Sequence, residues 1–149
     1  MSIHAYEYYH GAALNRIIDS GKSLEIMTFP SDSNSSITIN KDIGVFFKYS
    51  QLRISPWRFT FKKEHQDELM QMKELHKKLF IVFICFDDGF ACLEWSELKK
   101  ILDYDHKEVE FVSIKRMRKE KYTVNGSDGK LKYKIGQNEF PKKIIESLI

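Results

Sequence analysis

Apolar residues fall on a helical period at the start of the chain, and then mostly on the short runs and alternations of strands. Tyr8, Ala12, Leu14, Ile17 and Ile18 recur near helical spacing through Glu7 to Ser20, and Gly21 follows where a C-terminal cap belongs, which predicts a helix. Leu24 to Phe29 reads as a strand stopped by Pro30, and Ser31 to Ser35 is a polar turn. Ser36 to Asn40 and Ile43 to Tyr49 are β-branched or aromatic runs joined by Lys41-Asp42, a predicted hairpin, with a bulge expected at Gly44. Arg58 to Phe61 alternates Phe59 and Phe61 with Arg58 and Thr60, which predicts a strand entered through the turn Ser55-Pro56-Trp57.

Lys63 to Lys78 carries Leu69, Met70, Met72 and Leu75 among many charges, an amphipathic helix. Leu79 to Phe86 is an unbroken apolar run, typical of a strand buried on both faces, and Asp87-Asp88-Gly89 turns it into Phe90 to Glu94. A short helix is expected over Trp95 to Leu102 and a strand over Val109 to Met117. A hairpin follows, with Tyr122 to Val124 and Leu131 to Ile135 around Asn125 to Gly129, and Phe140 to Ile149 closes as a helix with Pro141 in its first turn. No repeat, low-complexity run or long linker divides the 149 residues, so the expectation is one α+β domain: a central mixed β-sheet flanked by helices, with a C-terminal β-hairpin and helix.

Composition narrows the class. With 11 Phe and 7 Tyr the chain has too many core-forming residues for a disordered tail. Cys85 and Cys92 sit inside apolar runs, as free cysteines do in a reducing compartment, although a disulfide across the hairpin is also conceivable. Met1 to Tyr9 lacks a basic segment followed by an apolar stretch, and Leu79 to Phe86 is too short to span a bilayer, so a cytoplasmic protein with no membrane partner is expected.

The order helix, three strands, helix, strand is the core order of the PD-(D/E)XK, or restriction-endonuclease-like, superfamily, and residues 7 to 102 resemble it. Ile43-Gly44-Val45-Phe46-Phe47-Lys48-Tyr49-Ser50, then Trp57-Arg58-Phe59-Thr60-Phe61, then Phe80 to Phe86 and Phe90 to Leu93, are similar to the run from the catalytic hairpin into a strand, a helix and a buried strand pair. The resemblance implies a restriction-endonuclease-like core. It also implies a site in which an acid on the second core strand and an acid-x-Lys triplet on the third bind divalent metal while the lysine positions or activates water.

Lys48 takes the lysine position, but Phe46 stands where the carboxylate belongs, and Thr38 stands where an upstream acid would be expected. Asp32 and Asp42 lie nearby in a loop and a turn. Because some members relocate an acid, Glu7 or Glu25 could replace it, so Asp42 and Glu7 are the candidate metal ligands for Mg2+ or Mn2+, with Lys48 as the third catalytic candidate. Two readings follow from the resemblance. One is a catalytically degenerate nuclease-like domain that binds nucleic acid or regulates, in bacterial defence, with no cofactor. The other is an active metal-dependent nuclease. The residues themselves also admit a plainer account, with Lys48 as a strand-end lysine reaching the surface and Asp42 as a turn residue.

Other chemistry is weaker. Arg53, Trp57 and Arg58, with Tyr49, Gln51 and Ser55, combine cations, hydroxyls and aromatics suited to DNA or RNA, and Lys115 and Arg116 begin a second basic stretch. The alternative is that Trp57 packs its loop down while the cations face water. His10 is either a proton carrier or a histidine half-buried against the sheet, and His65 and His76 read as surface residues too far apart to share a metal. No glycine-rich phosphate loop occurs. A third class of function stays open, a protein partner or homodimer contact through a sheet edge or the aromatic loop, with no nucleic acid.

Overall fold

The structure is a computed structural model that describes residues 1–31, 34–105 and 109–148. Helix α1 (Ala5–Ile18) leads into β1 (Ile26–Thr28), β2 (Ser36–Ile39), β3 (Ile43–Ser50) and β4 (Trp57–Phe61), followed by helix α2 (Lys63–Leu75). Strands β5 (Lys78–Cys85) and β6 (Gly89–Glu94) precede the short α3 (Trp95–Leu98). Strands β7 (Glu110–Lys115), β8 (Thr123–Gly126) and β9 (Gly129–Lys130) precede α4 (Glu139–Ile145).

The strands form two sheets, where the sequence predicted one. The first has the order β1-β2-β3-β5-β6 and is antiparallel except for the parallel pair β3 and β5; the second is antiparallel, β4-β7-β8-β9. Phe46 registers against Ile81 and Lys48 against Phe83 across the parallel pair, so β5 takes the place beside β3. The connection from β3 to β5 runs through β4 and α2, the length a parallel crossover needs. β4 carries its alternation elsewhere: Trp57, Phe59 and Phe61 point inward while its backbone pairs with β7.

Side chains alternate across the first sheet, which separates two cores. Ile37, Val45, Phe47, Phe80, Val82 and Cys92 face α1 and α4. Phe46, Ile81, Phe83, Ala91 and Leu93 face the opposite way, against Leu69 and Met72 of α2 and the inner residues of the second sheet. The molecule is therefore layered: α1 and α4, the first sheet, then α2 with the second sheet. Among the described residues no helix is long and apolar enough to cross a membrane.

Several details depart from the expected pattern. Gly44 is regularly paired with Thr38 and Leu79, without a bulge; it is needed because a Cβ there would lie 3.0 Å from both the His76 ring and the Met72 methyl. His76 is buried where α2 ends, and Met72's carbonyl oxygen, which can only accept, is 2.7 Å from Nδ1, so Nδ1 carries a hydrogen. Its Nε2 lies 2.9 Å from Thr38 Oγ1. Cys85 and Cys92 are both free and buried; Cys85 registers with Gly89 and Cys92 with Val82, so the hairpin does not face them together.

Candidate functional site

Lys48 lies near the end of β3 on the face toward α2. Its Nζ donates to the Thr60 carbonyl oxygen at 2.5 Å and approaches His65 Nδ1 at 3.0 Å, and it sits 4.9 Å from the centroid of the Phe61 ring. Lys62's backbone N–H also donates to His65 Nδ1, at 3.2 Å. Both neighbours are donors, so His65 Nδ1 is an acceptor and carries no hydrogen. Burial, with Lys62 nearby, brings Lys48 down to about 8 against the opposing pull of Glu68; burial and then Lys48 itself lower His65. Lys48 thus ties β3 to β4 through Thr60 and to α2 through His65.

The expected acids do not surround it. Asp42 precedes β3 and Lys48 is six residues further along, roughly 20 Å at the rise of a strand. Asp42 instead faces solvent, 3.7 Å from Lys77, while its carbonyl oxygen accepts from Lys77 N–H at 2.8 Å. Glu7 stands on α1, on the other side of the first sheet from Lys48, and its Oε1 accepts from the His4 N–H at 3.0 Å across the first helical turn. Glu25 precedes β1 and is exposed, and Asp32 lies outside the described residues. Asp42, Glu7 and Lys48 therefore do not converge.

The carboxylate that does approach is Glu68, one turn beyond His65 on α2. It accepts a hydrogen bond from Ser36 Oγ of β2, and Ser36 registers directly against Phe46. Lys62, Glu64, His65 and Glu68 line an open groove of about 700 Å3. Sequence reading missed Glu68 because an acid on a charged amphipathic helix resembles a solvated one; its spacing of three from His65, which puts both on one helix face, was the available signal.

On the opposite side of the sheet, Glu7 and His10 line a second cavity of about 440 Å3 with Phe29, Asn34 and Phe47. His10 is buried, its ring centroid 5.1 Å from that of Phe47 and 6.0 Å from that of Tyr49, and burial lowers it to about 4 despite its hydrogen bond with the Asn34 backbone. The unfolded chain takes up that proton near 6.5, the folded chain only near 4. Thermal stability should therefore hold above pH 6.5 and decline as pH falls toward 4, and His10→Phe should flatten that limb of a melting series.

The residues expected to touch nucleic acid divide by exposure. Trp57 is only 2% exposed; its Nε1 donates to the Leu52 carbonyl oxygen at 2.8 Å and its ring meets Tyr122 edge-on, so it fastens the loop and offers no stacking face. Arg116 is also structural: its Nη2 and Nε donate to the two Asp88 carboxylate oxygens at 2.7 and 2.8 Å. Arg53, Arg58 and Lys115 face solvent. Arg58 lies over the Phe111 ring at 3.7 Å.

Register gathers Arg58 and Lys115 on the outer face of the second sheet. Arg58 pairs with Ser113, Thr60 with Phe111, Ser113 with Asn125, Lys115 with Thr123 and Asn125 with Lys130. Among the described strand residues this face holds cations, hydroxyls, an amide and one aromatic, with no carboxylate, because Glu110 turns inward. No protein-family model, curated protein or solved structure matches the chain.

Proposed function

We propose that the chain is a nuclease-like domain without metal-dependent cleavage that binds a nucleic-acid strand across the outer face of its second sheet. The observation that carries this reading is the outer face on which Arg58, Lys115 and Lys130 alternate with Thr60, Ser113, Thr123 and Asn125, with no carboxylate among the described strand residues. Cations and hydroxyls at strand spacing suit phosphate oxygens, and the guanidinium of Arg58, already flat on Phe111, offers a plane on which a base can stack. The loss of cleavage is supported by Phe46 in the position of the acid and by the separation of Asp42 and Glu7 from Lys48.

Fluorescence anisotropy on labelled single-stranded and duplex DNA and RNA tests the interface. Arg58→Glu with Lys115→Glu should weaken binding by about tenfold or more and reduce the salt slope by about 0.7 per lost contact for a single strand. An affinity unmoved by the pair, or no binding at low salt, overturns the proposal and favours a protein partner or homodimer at a sheet edge.

A second reading has its own observation: Glu68 shares Lys48's face and is held by Ser36, so an acid relocated to α2 could bring Mg2+ or Mn2+ to the lysine. Cleavage in Mn2+ that Glu68→Gln and Lys48→Ala both abolish would establish it in place of the first.

A further inference from the structure

Three carboxylates outside these sites come together at one end of the second sheet. Asp103 follows α3, Glu110 opens β7 and Asp128 sits in the turn between β8 and β9; one oxygen of each lies within 4.8 Å of one oxygen of both others. That is the span two oxygens can have across a calcium ion with bonds of about 2.4 Å. It is the one such cluster of histidine, cysteine and acidic groups among the described residues.

Glu110 is the unusual member. It is 8% exposed, and among the described residues no donor reaches its Oε2. A buried carboxylate oxygen without a partner is costly, and the two acids gathered on it, Asp103 and Asp128, bring carboxylate oxygens that only accept, so a proton or a cation must sit between the three.

The backbone holds the other two acids in place. Asp103 N–H donates to Asp128 Oδ2 at 3.0 Å, Asp128 N–H to the Ile101 carbonyl oxygen at 2.9 Å, and Asp105 N–H to Asp103 Oδ1 at 2.9 Å. Gly129 lets the turn close, since a Cβ there would be 2.5 Å from the Lys100 carbonyl oxygen. Lys99 Nζ donates to the Asp103 carbonyl oxygen at 3.0 Å and lies in the field of all three acids. Three carboxylates and one ammonium leave a charge that a single divalent ion neutralises.

We infer that Asp103, Glu110 and Asp128 form a binding site for a hard divalent cation of the calcium class, which joins the α3–β7 connection to the β8–β9 turn. An oxygen-only donor set selects calcium or magnesium over zinc or copper, and a site built from three protein carboxylates favours calcium, because magnesium gives up its waters reluctantly.

The full chain is titrated with terbium, whose emission Tyr104, the chain neighbour of Asp103, can sensitise together with Trp95, 6.3 Å from it. Parallel melts compare calcium, magnesium and EDTA at neutral pH. Sensitised emission that calcium displaces, with a rise in Tm of about 5 °C in saturating calcium over EDTA, is expected. Glu110→Gln and Asp128→Asn should each abolish both signals. In EDTA Glu110→Gln should melt no lower than the wild type, which separates lost binding from lost folding, and Asp128→Asn, in an exposed turn, stands in should it fail to fold. Wild-type melts that are the same in calcium and EDTA would mean that the carboxylates share only a proton, and emission that survives both substitutions would place the ion elsewhere; either result overturns the assignment.

Discussion

Phe46→Asp is expected to unfold the domain rather than install a metal ligand. Phe46 is fully buried, its ring 6.5 Å from that of Phe61 and 6.4 Å from that of His65, with Ser36 and Ile81 beside it in register. Removing a buried phenylalanine costs about 3–5 kcal/mol, and a carboxylate left in its place adds several more unless it takes a proton. Lys48 is two residues on and on the same face, but Thr60 and His65 already hold its ammonium. The sum is comparable with the whole stability of a domain, about 5–15 kcal/mol. Circular dichroism should show no cooperative melt for Phe46→Asp, whereas Phe46→Leu should remain folded. A folded Phe46→Asp protein that bound Mn2+ would show that the position still has room for a ligand, and the degenerate reading would fail.

The same packing explains what was legible in the sequence. Periodicity located helix α2, the β2–β3 hairpin and the β5–β6 pair, because each is set by local alternation or a local turn. Strand β4 was legible as a strand but not as a member of a second sheet. Its partner β7 begins forty-nine residues after β4 ends, and alternation says which face is apolar without saying which strand will pair. The buried His76 was misread as surface because its burial depends on Thr38 and on the absence of a Cβ at Gly44, both distant in sequence.

The site residues divided for a similar reason. Lys48 and Arg58 were visible as cations on alternating strands, but Arg116 belongs to the same kind of strand end and is consumed by Asp88. Lys115 ends β7 and Arg116 follows it, two adjacent cations in the sequence; Lys115 is exposed, whereas the β5–β6 turn folds back over Arg116 and binds it. Glu110 stands one position from an ordinary surface site, and only register, which turns it inward opposite Phe61, makes it a buried acid.

Asp88→Ala should cost about 2–4 kcal/mol and lower Tm by about 5–15 °C, because that turn acts as a clasp between the two sheets. The Asp88 carboxylate accepts both Arg116 bonds and the Tyr122 hydroxyl at 2.8 Å, and its carbonyl oxygen accepts from Gln137 Nε2 at 2.7 Å. Asp88 and Arg116 side chains are only 20% and 19% exposed, so truncating one leaves the other charge poorly solvated. Arg116 above all, with Tyr122 and Gln137, holds Asp88 below the usual carboxylate range against the effect of burial. This contribution is present above the ordinary aspartate pKa and is lost as pH falls through and below it, so acid melts of wild type and Asp88→Ala should converge. Arg116→Met, which removes the charge yet keeps much of the stem, should also destabilise by stranding Asp88. The double variant Asp88→Ala with Arg116→Met should lose less than the sum of the two single losses, since neither charge is then left behind. Strict additivity would mean that the pair contributes nothing as a pair, and Arg116 would again be available as a phosphate contact.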